Sequence, residues 1–181
     1  MARAAQHRGM TPTGLSIHAA LVLALAAFVA AGAATWAQSA DVPAVPYPRD
    51  FRTWQHVKSI VVGPEHGSFP KRGGFHHYYA NQLALEGYRT GTFPNGSVIV
   101  DEGVSTTDGA GQAKGIVLEG ARRSLDVMVK SGERYKDTGG WGFEHFAGDG
   151  VTGGLSADAR GKCFECHANA THDHVFSTIR K

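Results

Sequence analysis

The chain has 181 residues, a formal charge of +2 and 42 % hydrophobic residues, which suits one domain of ordinary globular composition. Arg3 and Arg8 account for the excess charge, and the remaining acidic and basic residues balance. That balance excludes a basic stripe for nucleic acid and an acidic block for a cationic partner.

Residues 1–37 have the order of a secretory signal peptide. Positive charge comes first, then an apolar run over 17–34 broken by His18 and Gly32, then the small-x-small sequence Thr35-Trp36-Ala37. The alternative is a retained membrane anchor, for which the run sits at the lower limit of length. Export predicts a periplasmic or secreted protein in an oxidising compartment. Residues 38–47 read as a Pro-rich linker, and 48–181 as the functional domain. About 140 residues bury a core without disulfide staples, so Cys163 and Cys166 are available for another task.

Along the domain, Phe51, Trp54, Val57 and Val61 recur at three- and four-residue steps, predicting a helix over 49–59 and a strand from Ser59 to Val62. Gly and Pro make 63–74 a loop. The aromatic run 75–80 reads as a strand. Asn81 is the expected N-cap of a short helix, "QLALEG", that stops at Gly87. "FPNG" is a turn before the strand "SVIVDE", and the Gly-rich stretch 105–115 reads as a mobile loop. Strands follow at 116–118 and 124–130; in the second, Leu125, Val127 and Val129 share one face. Ser131 is expected to cap a short helix through Tyr135, and "TGGWGFEHF" to be a strand. Residues 147–161 read as loop, with helix from Cys163. The fold class is α+β, built on an antiparallel sheet with short flanking helices.

The segment "CFECH", 163–167, carries the chemistry. Two thiols separated by two residues on a helical turn reach the two vinyl groups of one haem edge, and a histidine directly after the second thiol lies under the iron. The rivals fit less well. A thioredoxin-type dithiol opens a helix within a βαβ unit, which the chain lacks. Tetrahedral zinc needs a fourth ligand, and only the tightly spaced His172 or His174 offers one. A Cys163–Cys166 disulfide closes too small a loop to stabilise much. One motif predicts one covalent haem c, with Arg49, Arg52, Arg89, Arg122 and Arg123 as candidate partners of its propionates.

The blocks "YPRDFRTWQHVKS", "GGFHHYYAN", "YRTGTFPNGSVIV", "DVMVKSGERYKDTGGWGFEHF" and "CFECHA…DHVFS" run in order from 47 to 180. Together they resemble the cytochrome P-460 family, which includes the cytochromes c′-beta. The resemblance implies a curved antiparallel sheet packed over one face of a c-type haem, often in a homodimer. It also implies a five-coordinate iron, with His167 as its axial ligand and Cys163 and Cys166 as thioethers. The open face then takes a small nitrogen species, nitric oxide or hydroxylamine, with a periplasmic electron acceptor as partner. Enzymes of the family oxidise these species, whereas the c′-beta relatives bind diatomic gases under an apolar aromatic cap. Hydroxylamine-oxidising members bond a lysine to the porphyrin edge just before a Thr-Gly pair. Here that place, in Tyr88-Arg89-Thr90-Gly91, is held by Arg89, a poor nucleophile because it stays protonated.

Strand alternation puts His76 and Tyr78 on one face of their strand and Phe75, His77 and Tyr79 on the other. His76 is the chosen pocket residue, as sixth ligand, proton relay or propionate contact, against a purely structural histidine. Glu144 is the candidate proton acceptor, against a solvated edge carboxylate. Met128 is a candidate axial ligand of a six-coordinate electron carrier, against core packing. Trp141, Phe143 and His145 share a face and read as pocket wall or core, and His172 and His174 as surface or propionate neighbours. Tyr88 is a candidate link to the haem, against a packed tyrosine, and Lys114 and Lys130 have no assigned role.

Overall fold

A computed structural model describes residues 44–179. The expected signal peptide and the start of the linker lie outside the described residues, as does Arg180. Five strands carry the fold: β1 (Gln55–Val62), β2 (Gly74–Ala80), β3 (Val98–Asp108), β4 (Val117–Lys130) and β5 (Trp141–Ala147). They lie in chain order, each antiparallel to the next, in one open sheet. Three short helices flank it: α1 (Phe69–Arg72), α2 (Gln82–Thr90) and α3 (Ala157–His167). The expected α+β class is therefore what the chain adopts. Irregular register near His56 and between Gly103 and Thr106 breaks the ladders, and such bulges bend and twist a sheet.

Each sheet face has its own core. One gathers Val45, Phe51, Val100, Leu125, Val127, Tyr135 and Phe146. The other gathers Val57, Ala84, Phe93, Ile99, Trp141, Phe143 and Val175, with Met128, Cys163 and Phe164 packed against it. The site lies on this second face.

Several local expectations change. The helix over 49–59 reduces to one turn at Phe51–Thr53 followed by β1. Its helical spacing was coincidental: Phe51 is buried in one core, Val57 in the other, and Val61 is 61 % exposed. Four β-branched residues, Val57, Ile60, Val61 and Val62, favour the strand instead. The loop at 63–74 contains α1, which starts at Phe69. Helix α2 begins at the expected cap, where the Asn81 side chain accepts from Ala84 N, but it continues past Gly87 to Thr90. Gly87 is there for contact: a Cβ would lie 2.2 Å from the Phe93 ring. The helix ends at Gly91, whose φ of 85° is the left-handed cap that glycine adopts without strain.

The loop at 105–115 is shortened because β3 runs to Asp108, and the two strands expected at 116–118 and 124–130 are one strand, β4. Residues 132–134 form a turn in place of the expected helix, with a helical turn only at Lys136–Thr138. Helix α3 starts at Ala157 and not at Cys163, because Ser156 caps it by accepting from Ala159 N. It stops at His167.

Candidate functional site

On α3, Cys163 and Cys166 are free thiols one turn apart, the first half-buried and the second exposed. Burial pushes the Cys163 thiol above its ordinary pKa. His167 follows at the end of the helix. Its Nδ1 donates to the backbone carbonyl of His174 at 2.8 Å, which fixes the tautomer and leaves Nε2 as the lone-pair nitrogen. The ring lies between Phe143 and Phe176, each with its centroid 5.1 Å away. Burial, the largest influence, lowers its pKa, and the charge of Arg72 acts in the same direction. The imidazole is therefore held neutral, the form that binds a metal.

Cross-strand register defines the surface around it. Residues opposite each other in a ladder point to the same face. Ala80, Ile99, Met128 and Phe143 form one such row, and Tyr78, Asp101, Asp126 and His145 the next. The face that touches His167 through Phe143 thus runs from apolar to polar within one strand repeat.

The polar row is joined into a network. Asp101 accepts from His76 Nδ1 at 2.8 Å and from Arg72 at 2.6 Å. Arg72 also lies 3.8 Å from Asp126, and Asp126 accepts from His145 Nδ1 at 2.7 Å. The second nitrogen of His76 faces the Arg72 carbonyl at 2.7 Å. With an acceptor at each ring nitrogen, both must carry protons, so His76 is an imidazolium. Burial alone would lower its pKa, but Asp101 outweighs that and the net shift is upward. The pKa of His145 is raised chiefly by its bond to Asp126. Its Nε2 has no hydrogen-bond partner among the described residues. Burial pushes the Tyr78 phenol upward, reinforced by Asp101, and so keeps it protonated.

The expected site residues are placed as follows. Cys163, Cys166 and His167 share one helix end. His76 lies on the same sheet face but has no lone pair left for a metal in this arrangement. Glu144 is buried at 3 % exposure. Its carboxylate pairs with Arg160 at 2.5 Å and accepts from Leu155 N and His145 N. Burial would raise its pKa, yet these donors prevail and hold it below the ordinary carboxylate range. Met128 is half-buried opposite Phe143 in the second core.

Arg89 stands exposed on the last turn of α2, beside Tyr88 and Ile179. Its helix packs on the face that carries the site: Tyr88, next to Arg89, joins the second core and bonds Ser177 at 2.6 Å. Three of the arginines expected near the propionates have partners of their own: Arg52 pairs with Glu102, Arg122 donates to Tyr47, and Arg123 donates to the carbonyls of Gly73 and Lys71. Arg72 reaches the polar row, and Arg160 reaches the Phe143 carbonyl. Sequence reasoning missed Arg72, Asp101, Asp126 and His145 as a set. Their one sequence signal is a carboxylate in strand phase with Ile99 or Met128.

These residues fit a haem. They offer two thiols at the required spacing, a neutral imidazole with one free nitrogen, and apolar surface on the same side. Phe176, 56 % exposed, packs against the His167 ring on this side. Among the described residues, no three His, Cys, Asp or Glu side chains are gathered to hold a bare metal ion.

A family model described as Cytochrome P460 matches residues 48–177. No curated protein matches the chain.

Proposed function

From the premise that the chain belongs to the cytochrome P460 family, for which a haem is the implied cofactor, we propose an exported cytochrome carrying one covalent haem c. Cys163 and Cys166 would hold it through thioether bonds and His167 through Nε2. Bound there, the haem would supply an iron able to exchange electrons and to take a small nitrogen species, hydroxylamine or nitric oxide. Support for export comes from the charge and apolar pattern of residues 1–37. A periplasmic electron acceptor completes the reaction.

Among the readings open to the family, the polar row favours proton-coupled turnover over simple gas binding. The c′-beta relatives bind gases under an apolar cap. Here Tyr78, Asp101, Asp126 and His145 share the face of Phe143, and hydroxylamine loses protons as well as electrons when it is oxidised. His145 is the proton acceptor in this reading, because its Nε2 is uncommitted while Asp126 steadies Nδ1. His76 holds Asp101 and Arg72 in place. Glu144, locked by Arg160, fastens α3 to β5 and takes no proton. Exposed Ile116, Val117 and Leu118 at the tip of the β3–β4 hairpin are the surface available for a homodimer.

The observation that carries the proposal is the His167 imidazole, neutral, with Nδ1 bonded to His174 O and Nε2 free. The test is expression of the full chain in a host that matures c-type cytochromes. Intact mass should rise by one haem, and the ferrous spectrum should change on adding nitric oxide and in His167→Ala. Hydroxylamine should be consumed with an added electron acceptor, and His145→Leu should slow this roughly 100-fold. Nitric oxide binding without hydroxylamine loss would select the gas-binding reading, and a colourless protein would overturn both.

A further inference from the structure

Residues 172–177 cross beneath His167 as a strap, and their backbone is unusual. Asp173 and His174 have φ of 48° and 66°, the only left-handed non-glycine residues among those described. Such a conformation is uncommon for residues with a Cβ, though Asp and His tolerate it better than most; the turn closed by Val175 N on the His172 carbonyl accommodates two in succession, and further contacts hold it. His174 supplies the carbonyl that receives His167 Nδ1–H.

Those further contacts converge on Asp173. Its Oδ1 accepts from Lys130 Nζ at 2.6 Å and its Oδ2 from Phe93 N at 2.9 Å. Its backbone oxygen accepts from Trp141 Nε1 at 2.8 Å. Lys130 Nζ also donates to Gly139 O and lies 5.0 Å from the Trp141 ring centroid. One residue thereby ties the strap to the end of β4, the start of β5 and the turn before β3. Both charged side chains are shielded, 13 % and 16 % exposed. Val175, bonded to the His172 carbonyl and buried at 4 %, closes the strap on its far side.

We infer that Asp173 is the positioning residue for His167: it fixes the left-handed turn that aims the His174 carbonyl at Nδ1, and so sets the direction and basicity of Nε2. The inference rests on His167 being the axial ligand. Hydrogen bonding to the far nitrogen of a ligating histidine controls its orientation and donor strength. A rigid carbonyl does so more uniformly than water would.

The test is resonance Raman of the ferrous holoprotein, read at the iron–histidine stretching band, with the reduction midpoint potential as a second readout. Asp173→Ala should shift or split the band and move the potential. It should also make His167 roughly tenfold easier to displace by nitric oxide. Asp173→Asn, whose carbonyl still accepts from Phe93 N or Lys130, should recover most of the parent signal. If Asp173→Ala only lowers thermal stability, with band and potential unmoved, the inference is wrong. Should that variant fail to fold, Lys130→Met removes one arm of the same contact and must move the band in the same direction; an unmoved band there also overturns it. Insensitivity of the spectrum to His167→Ala would instead defeat the assignment of the axial ligand.

Discussion

His76 is a charged ring in a place where only 2 % of the residue meets solvent. The charge survives because Asp101 and the Arg72 carbonyl together satisfy both N–H groups. Removing one partner of such a buried pair leaves the other without compensation, which costs more than the pair itself contributes. Asp101→Ala should therefore destabilise the fold by about 3 kcal/mol in urea titration at neutral pH. His76→Leu in the same background should add much less, because the orphaned charge is then absent. A double-mutant cycle that found the two changes simply additive would contradict this coupling.

Among the elements, α3 has the least intrinsic reason to stay in place, for it buries no residue completely. Beside the packing of Cys163 and Phe164 on the second core, one ion pair and its satellites hold it. Arg160 reaches Glu144 and the carbonyl of Phe143, and the turn before the helix gives Leu155 N to the same carboxylate. Gly153 presses on that side chain so closely that a Cβ would fall 2.5 Å from its carboxyl carbon. Arg160→Ala should cost about 3 kcal/mol in urea, because the Glu144 side chain is 1 % exposed and would keep its charge unpaired. Hydrogen exchange should show α3 opening ahead of the sheet, and equal protection of α3 in variant and parent would refute the latch. The thiols and His167 ride on this helix, so the latch also fixes where they stand over Phe143.

For the molecule as a whole, the two kinds of paired charge set opposite pH limits. The folded-state pKa of Glu144 is lowered, so its contribution is present above the ordinary carboxylate value and is lost as pH falls through the lowered one. Those of His76 and His145 are raised, so theirs is complete below about 6.5, the ordinary histidine value, and is lost as pH rises through the raised values. The melting temperature should therefore peak between about pH 5 and 6.5 and fall on both sides. In Asp101→Asn the alkaline decline should become shallower, and an unchanged alkaline limb would show that the pair does not titrate with folding. The same scale separates what sequence and structure each decide. Local spacing was sufficient to bring the thiols at 163 and 166 and the histidine at 167 together on one helical turn. It was also sufficient for the Asn81 cap and the face alternation of β2 and β4. It misread 49–59, where apolar residues serving two different cores happened to fall at helical intervals. Only the assembled sheet decided that Asp101 meets His76 across 25 residues of chain and that Asp126 meets His145 across 19. Pairings of that kind depend on strand register and on the bulges that shift it, and these are set by all five strands packing at once, not by any one segment's own pattern.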